Sequence, residues 1–140
     1  MNTTQERQAN IAAWQHAIDN AEGFVEDLVR LHKAYQEAML DSDEDCEALE
    51  EEAREQALSL EVRSDWQSIG DNLEPTQGRL LISTGGPALQ VLLDIDNDQG
   101  SDPRLQIADW GLNWTDYKPK GGADAWDALD WFAGLWYFGG

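Results

Sequence analysis

The chain is short of cations. Its 140 residues include nine Lys and Arg against 28 Asp and Glu, a formal net charge of -19. A body this acidic repels DNA, RNA and anionic membranes, which argues against direct binding to any of them. Cysteine is almost missing as well: Cys46 stands alone, so no internal disulfide can form and the composition fits a reducing compartment. No apolar run approaches the roughly 20 residues that a membrane-spanning helix needs. The opening residues, MNTTQERQAN, lack the apolar core of a signal peptide. The cytoplasm is therefore the expected location. Proline and glycine are scarce early on, since residues 1–69 hold no proline and one glycine, Gly23.

What is present suffices for a folded core. A hydrophobic fraction of 41% and seven tryptophans exclude a disordered acidic chain, and the length suits one domain over residues 1–140. The glycine- and proline-free part, 1–69, reads as helical throughout. Ile11, Trp14 and Ile18 recur at helical spacing, and Phe24, Leu28, Leu31, His32, Tyr35 and Met39 form a second stripe beyond Gly23. A turn at Leu40–Ser42 leads into a third helix with Cys46, Leu49, Ala53, Ala57 and Leu60 on one face. Short connections favour antiparallel helices.

From Gly70 onward, glycines and prolines separate short apolar runs. Residues 79–83 (RLLIS), 88–95 (ALQVLLDI) and 104–110 (RLQIADW) read as strands of an antiparallel meander. Residues 124–138 return to a helical period, with Trp126, Leu129, Phe132, Ala133 and Trp136 on one face. The expected fold is α+β: N-terminal antiparallel helices packed on a small antiparallel three-stranded sheet, with a C-terminal helix.

The most unusual stretch is DSDEDCEALEEEARE, from Asp41 to Glu55, where nine carboxylates face one arginine, Arg54. As a helix it extends about 22 Å, one carboxylate per roughly 2.5 Å, whereas duplex DNA has one charge per about 1.7 Å counting both strands and 3.4 Å on one. Glu44, Glu47, Glu51 and Glu55 share a face by their spacing, and Asp43, Glu50 and Glu52 widen it. Such neighbours repel and destabilise the helix that bears them, so a solvated surface competes with a functional reading. The acidic excess of the whole chain favours a cationic partner. A second cluster, Asp94, Asp96, Asp98 and Asp102, begins like a calcium loop. Gly100 falls one place late for that motif, however, and Leu105 stands where the bidentate glutamate belongs. A wide acidic hairpin loop is the better reading, and near the acidic helix it would extend one negative surface.

The aromatic residues of the last third read mostly as core, with Trp131 and Leu135 off the main stripe as a possible exposed anchor. Signatures of catalysis are lacking. His16 and His32 lie apart, Cys46 sits among carboxylates that blunt a thiolate, and no Cys/His spacing suits a metal. Neither enzymatic activity nor a cofactor is expected.

The C-terminal half resembles a family of small acidic proteins of phages, prophages and other mobile elements of proteobacteria. The residues that bear the likeness are Leu81-Ile82-Ser83-Thr84-Gly85-Gly86-Pro87-Ala88, Ala108-Asp109-Trp110-Gly111, Trp114-Thr115-Asp116-Tyr117 and Trp136-Tyr137-Phe138-Gly139. The resemblance covers roughly residues 79–139 and brings no catalytic residues. It implies a counter-defence context, in which anti-CRISPR and anti-restriction proteins imitate nucleic acid in charge. The expected partner is then a basic nucleic-acid-binding protein of a bacterial defence complex, a Cas subunit first. Asp43, Glu44, Asp45, Glu47, Glu50, Glu51, Glu52 and Glu55, with Asp94, Asp96 and Asp98, would meet it. The rival expectation is an immunity-type protein that caps a basic toxin or nuclease through its tryptophan-rich end.

Overall fold

A computed structural model describes residues 3–41, 45–71, 74–109 and 113–138, with backbone only for 3–13. The side chain of Ile11 and all of Trp110 lie outside that description. The fold is α+β, with three helices and a five-stranded antiparallel sheet among the described residues.

The first helix, α1 (Thr3–Asp41), is a single 39-residue element where two stripes were expected. Ala17, Ala21, Phe24, Val25, Leu28 and Leu31 form one continuous buried face across the Gly23 position. Gly23 itself is exposed, so its cost of about 1 kcal/mol relative to alanine is outweighed by the buried residues on either side. The second helix, α2 (Cys46–Arg54), is short. It buries Cys46 and Ala53 and rests Leu49 on the common core.

The expected third helix does not continue to Leu60. The chain instead enters β1 (Ser59–Ser64), the first strand of a meander with β2 (Pro75–Ser83), β3 (Ala88–Asp96), β4 (Gln99–Ala108) and β5 (Thr115–Tyr117). The first two expected strands are thus extended. The third begins five residues earlier than expected and ends at Ala108 rather than Trp110, which lies outside the described residues. Two more strands join them, one inside the part read as helical. Leu60 fits a helical face at Ala57 plus three, yet SLEVRS also alternates. Pairing of Leu60 with Leu80 and Val62 with Gly78 decides for the strand.

One face of the sheet is apolar: Leu80, Leu89, Val91, Leu93, Leu105 and Ile107 are all sealed from solvent. Against it lie α1 and α3 (Gly122–Gly134), whose Ala125, Ala128, Leu129, Phe132 and Ala133 are buried. The ring of Phe24 meets Phe132 edge-on at 5.7 Å. The opposite face is polar, with Gln77, Arg79, Asp94, Arg104 and Gln106 projecting from β2, β3 and β4. Among the described residues no helix is long and apolar enough to cross a membrane.

Trp131 is not a protruding anchor. It stacks on His32 at 5.2 Å and meets the tilted ring of Tyr35 at 5.3 Å, joining α3 to α1. Leu135, Trp126 and Trp136 likewise pack against the core. The exposed large apolar side chains are Leu58, Leu60, Val62, Trp66 and Ile69 near β1, Met39 and Leu40 near the end of α1, Trp114 before β5, and Tyr137 in the C-terminal segment.

Candidate functional site

The acidic segment becomes a groove because two helices meet there. Ala34 and Ala38, one turn apart on α1, face Ala48 and Leu49 of α2. Small side chains let the two backbones approach. Above this apolar floor stand Glu37 and Asp41 from α1 and Asp45, Glu51, Glu52 and Glu55 from the α2 segment. The groove is open, encloses about 800 Å³, and has no Lys, Arg or His in its lining.

Helix ends deepen the negative potential. The last turn of α1 contains no basic residue, and Asp41 sits where the macrodipole is already negative. Glu55 occupies the C-cap of α2, another position that favours cations. The arrangement therefore offers carboxylate oxygens and little else. Its chemistry is to accept hydrogen bonds and bind positive charge.

The expected residues divide into several sets. Asp43 and Glu44 lie outside the described residues. Asp45, Glu51, Glu52 and Glu55 line the groove, and Glu47 is exposed at the start of α2 without lining it. Glu50 does not belong to the outward face. Its side chain is only 26% exposed and is bonded to Arg54 at 3.3 Å. It also points towards Tyr35, whose hydroxyl is pushed above its usual range by burial first and by the Glu50 carboxylate second. Arg54 further holds Glu51 at 3.3 Å and donates to the carbonyl of Leu135. The single arginine of the segment thus fastens α2 to the end of α3.

Glu37 was missed because it precedes the acidic run by several residues, and only helix docking brings it alongside. The signal was the i, i+4 pair Glu37 and Asp41 beside the i, i+4 pair Ala34 and Ala38.

The second cluster is built differently from the wide loop expected. A two-residue turn at Asn97–Asp98, with φ of 51° and 65°, closes β3 onto β4 as a tight hairpin. Arg104 reaches Asp94 at 3.1 Å and Asp102 at 2.9 Å. The hydrogen bond from Arg104 holds the Asp94 carboxyl below its ordinary range, against the opposing effect of burial. Asp96 and Asp98 remain exposed at the tip. No group of three metal-ligating side chains converges among the described residues. Asp94 is thus committed to Arg104. The tip itself is joined to the C-terminal segment, the Phe138 amide donating to the Asp98 carbonyl and that of Gly100 to Trp136. The tip and the C-terminal end of α2 therefore flank the same short segment, 135–138, without forming one continuous groove.

No family model, curated protein or solved structure matches the chain.

Proposed function

We propose that this protein is an inhibitor that lodges its acidic α1–α2 groove against the cationic nucleic-acid-binding surface of a partner protein. The observation behind this reading is the groove lining: among the described residues it holds six carboxylates from two helices and no Lys, Arg or His, with Glu51 bonded from outside by Arg54. A single acidic helix face is ordinary surface chemistry. Carboxylates contributed by two helices that meet along one groove are less so. Lysines and arginines arranged to grip phosphates would find closely spaced negative charge here.

The biological form of the proposal is counter-defence: a phage-derived anti-CRISPR protein that prevents target DNA from entering a Cas effector in the host cytoplasm. The resemblance of residues 79–139 to acidic phage proteins supports this context, and the groove supports the mode of action. The rival, a cap on a toxin or nuclease through the tryptophan-rich end, loses its anchor at Trp131, which is engaged by His32 and Tyr35, and retains only the exposed Tyr137 in that segment.

The test is a DNA-binding assay with a purified Cas effector complex. Wild-type protein should displace target DNA, more strongly at low salt. A variant with Glu37, Glu51, Glu52 and Glu55 changed to glutamine should stay folded and lose that effect. Undiminished inhibition by the folded variant refutes charge mimicry.

A further inference from the structure

The exposed edge of the sheet has a pattern that the acidic groove does not use. Among the described residues strand β1 pairs only with β2, so its outer edge presents backbone donors and acceptors for a further strand. Its residues alternate. Leu60 and Val62 point to the helix-covered side, but α1 and α3 pack over β3 and β4 and leave these two 40% and 51% exposed. Leu58, one step before the strand, is 63% exposed, and Trp66, just after it, is fully exposed. On the other side Glu61 bonds Arg79 at 2.6 Å and Arg63 bonds Gln77 at 2.5 Å.

The geometry points to a second copy of this chain as the occupant of that edge, paired antiparallel through β1 about a two-fold axis at Val62. In that register Val62 meets Val62 of the second copy. Glu61 stands opposite Arg63 of the second copy, and the symmetry repeats the pair on the other side. Leu60 faces Ser64 at the ends of the paired segment. Charges meet opposite charges on one face, and on the other Val62 packs on Val62 with a leucine on either side. A shift of one residue would place Glu61 opposite Val62 and lose both matches. Charges placed to guard an edge against pairing are most often lysines. Here the two signs flank a central valine, and that order is complementary to itself under a two-fold rotation.

The overall charge of -19 opposes association, but the patch itself is balanced. Glu61 and Asp65 stand beside Arg63 and Arg79, and charges farther away than about 8 Å are largely screened at physiological ionic strength. The dimer should therefore tighten as salt rises to moderate levels, whereas binding through the groove should weaken. None of Leu58, Leu60, Val62 or Arg63 lines the groove, so the two surfaces can be tested separately. An edge contact this small, below about 1,200 Å² in total, belongs with weak interfaces, and dissociation in the micromolar range is expected.

Sedimentation of the full chain from low to high micromolar concentration tests this. Wild type should pass from monomer to dimer. Glu61→Arg and Arg63→Glu should each weaken the dimer about tenfold or more, since each turns two attractive cross-strand pairs into repulsive ones. Both variants should retain the wild-type circular dichroism. Mixed in equal amounts they should dimerise again, because one chain then presents two arginines to two glutamates of the other. A wild type that stays monomeric at the highest concentration overturns the inference. So does a dimer indifferent to both changes, or a mixture of the folded variants that fails to associate.

Discussion

Removing charge from the groove should make the protein more stable. Consider Glu37→Gln, Glu52→Gln and Glu55→Gln together, with Glu51 retained because Arg54 bonds it. The triple change abolishes repulsion between Glu37 and Asp41 and between Glu51 and Glu55, both at i, i+4, and between Glu52 and Glu55 at i, i+3. The Glu55 amide still bonds the Glu51 carbonyl at 3.0 Å, so helical spacing persists to that residue. Each relieved pair is worth about 0.2–0.5 kcal/mol, and removing an anion near a helix C-terminus adds about 0.3–1 kcal/mol at low salt. Allowing for exposure of these side chains, the sum is about 1–2 kcal/mol. For a chain of this size that raises Tm by roughly 3–7 °C. Thermal unfolding followed by circular dichroism at low salt measures it. Repeating the scan near 1 M salt, where the screening length is about 3 Å, should erase most of the gain. A triple variant no more stable than wild type at low salt refutes the claim that the groove concentrates repulsion at a cost to the fold.

Other outcomes follow from single contacts. Tyr117 donates to Glu22 at 2.6 Å, and burial together with that carboxylate pushes its hydroxyl far above the ordinary value of 10.0. The phenol is protonated in both states below pH 10, so the bond contributes fully there. Above that pH the unfolded chain ionises first and stability falls. Tyr117→Phe should cost about 1–2 kcal/mol near neutral pH and flatten the alkaline loss in denaturant melts. His32 shows the opposite sense, since burial lowers its pKa from 6.5 although Asp127 partly offsets this. Its neutral form favours the fold, so stability from this site is present above pH 6.5 and lost as acid protonates the unfolded chain first. His32→Phe keeps an aromatic ring beside Trp131 and should reduce the loss of stability as pH falls below 6.5. At Gly100, an added Cβ would collide with the Ala133 carbonyl oxygen and press on Leu93. Gly100→Ala should cost about 1–3 kcal/mol through overpacking, read as a lower urea midpoint with an unchanged slope.

The sequence announced the α+β class and three of the strands through alternation and turn residues, and it singled out the acidic run by composition. What it concealed depends on contacts between distant residues. Whether Gly23 breaks a helix depends on which face it occupies, and here the buried stripe from Ala17 to Leu31 runs past it. SLEVRS is compatible with both a short helical turn and a strand, and β2 makes the choice. The groove needed α1 to place Glu37 and Asp41 beside α2, while Arg54 drew Glu50 away from the outward face. Trp131 lies off the main stripe of α3 and looked available, yet α1 supplies a second surface that covers it. The Asp94 cluster read as a loop because both Asn97 and Asp98 had to accept positive φ to close so tight a turn.

The most direct measurement is a hydrogen-exchange footprint of the protein mixed with a purified Cas effector, the partner proposed above. Slowed exchange should be centred on residues 34–41 and on α2, and should disappear when moderate salt dissociates the complex. Protection confined to the polar sheet face or to residues 131–138, with α2 exchanging as in the free protein, would contradict recognition through the acidic groove.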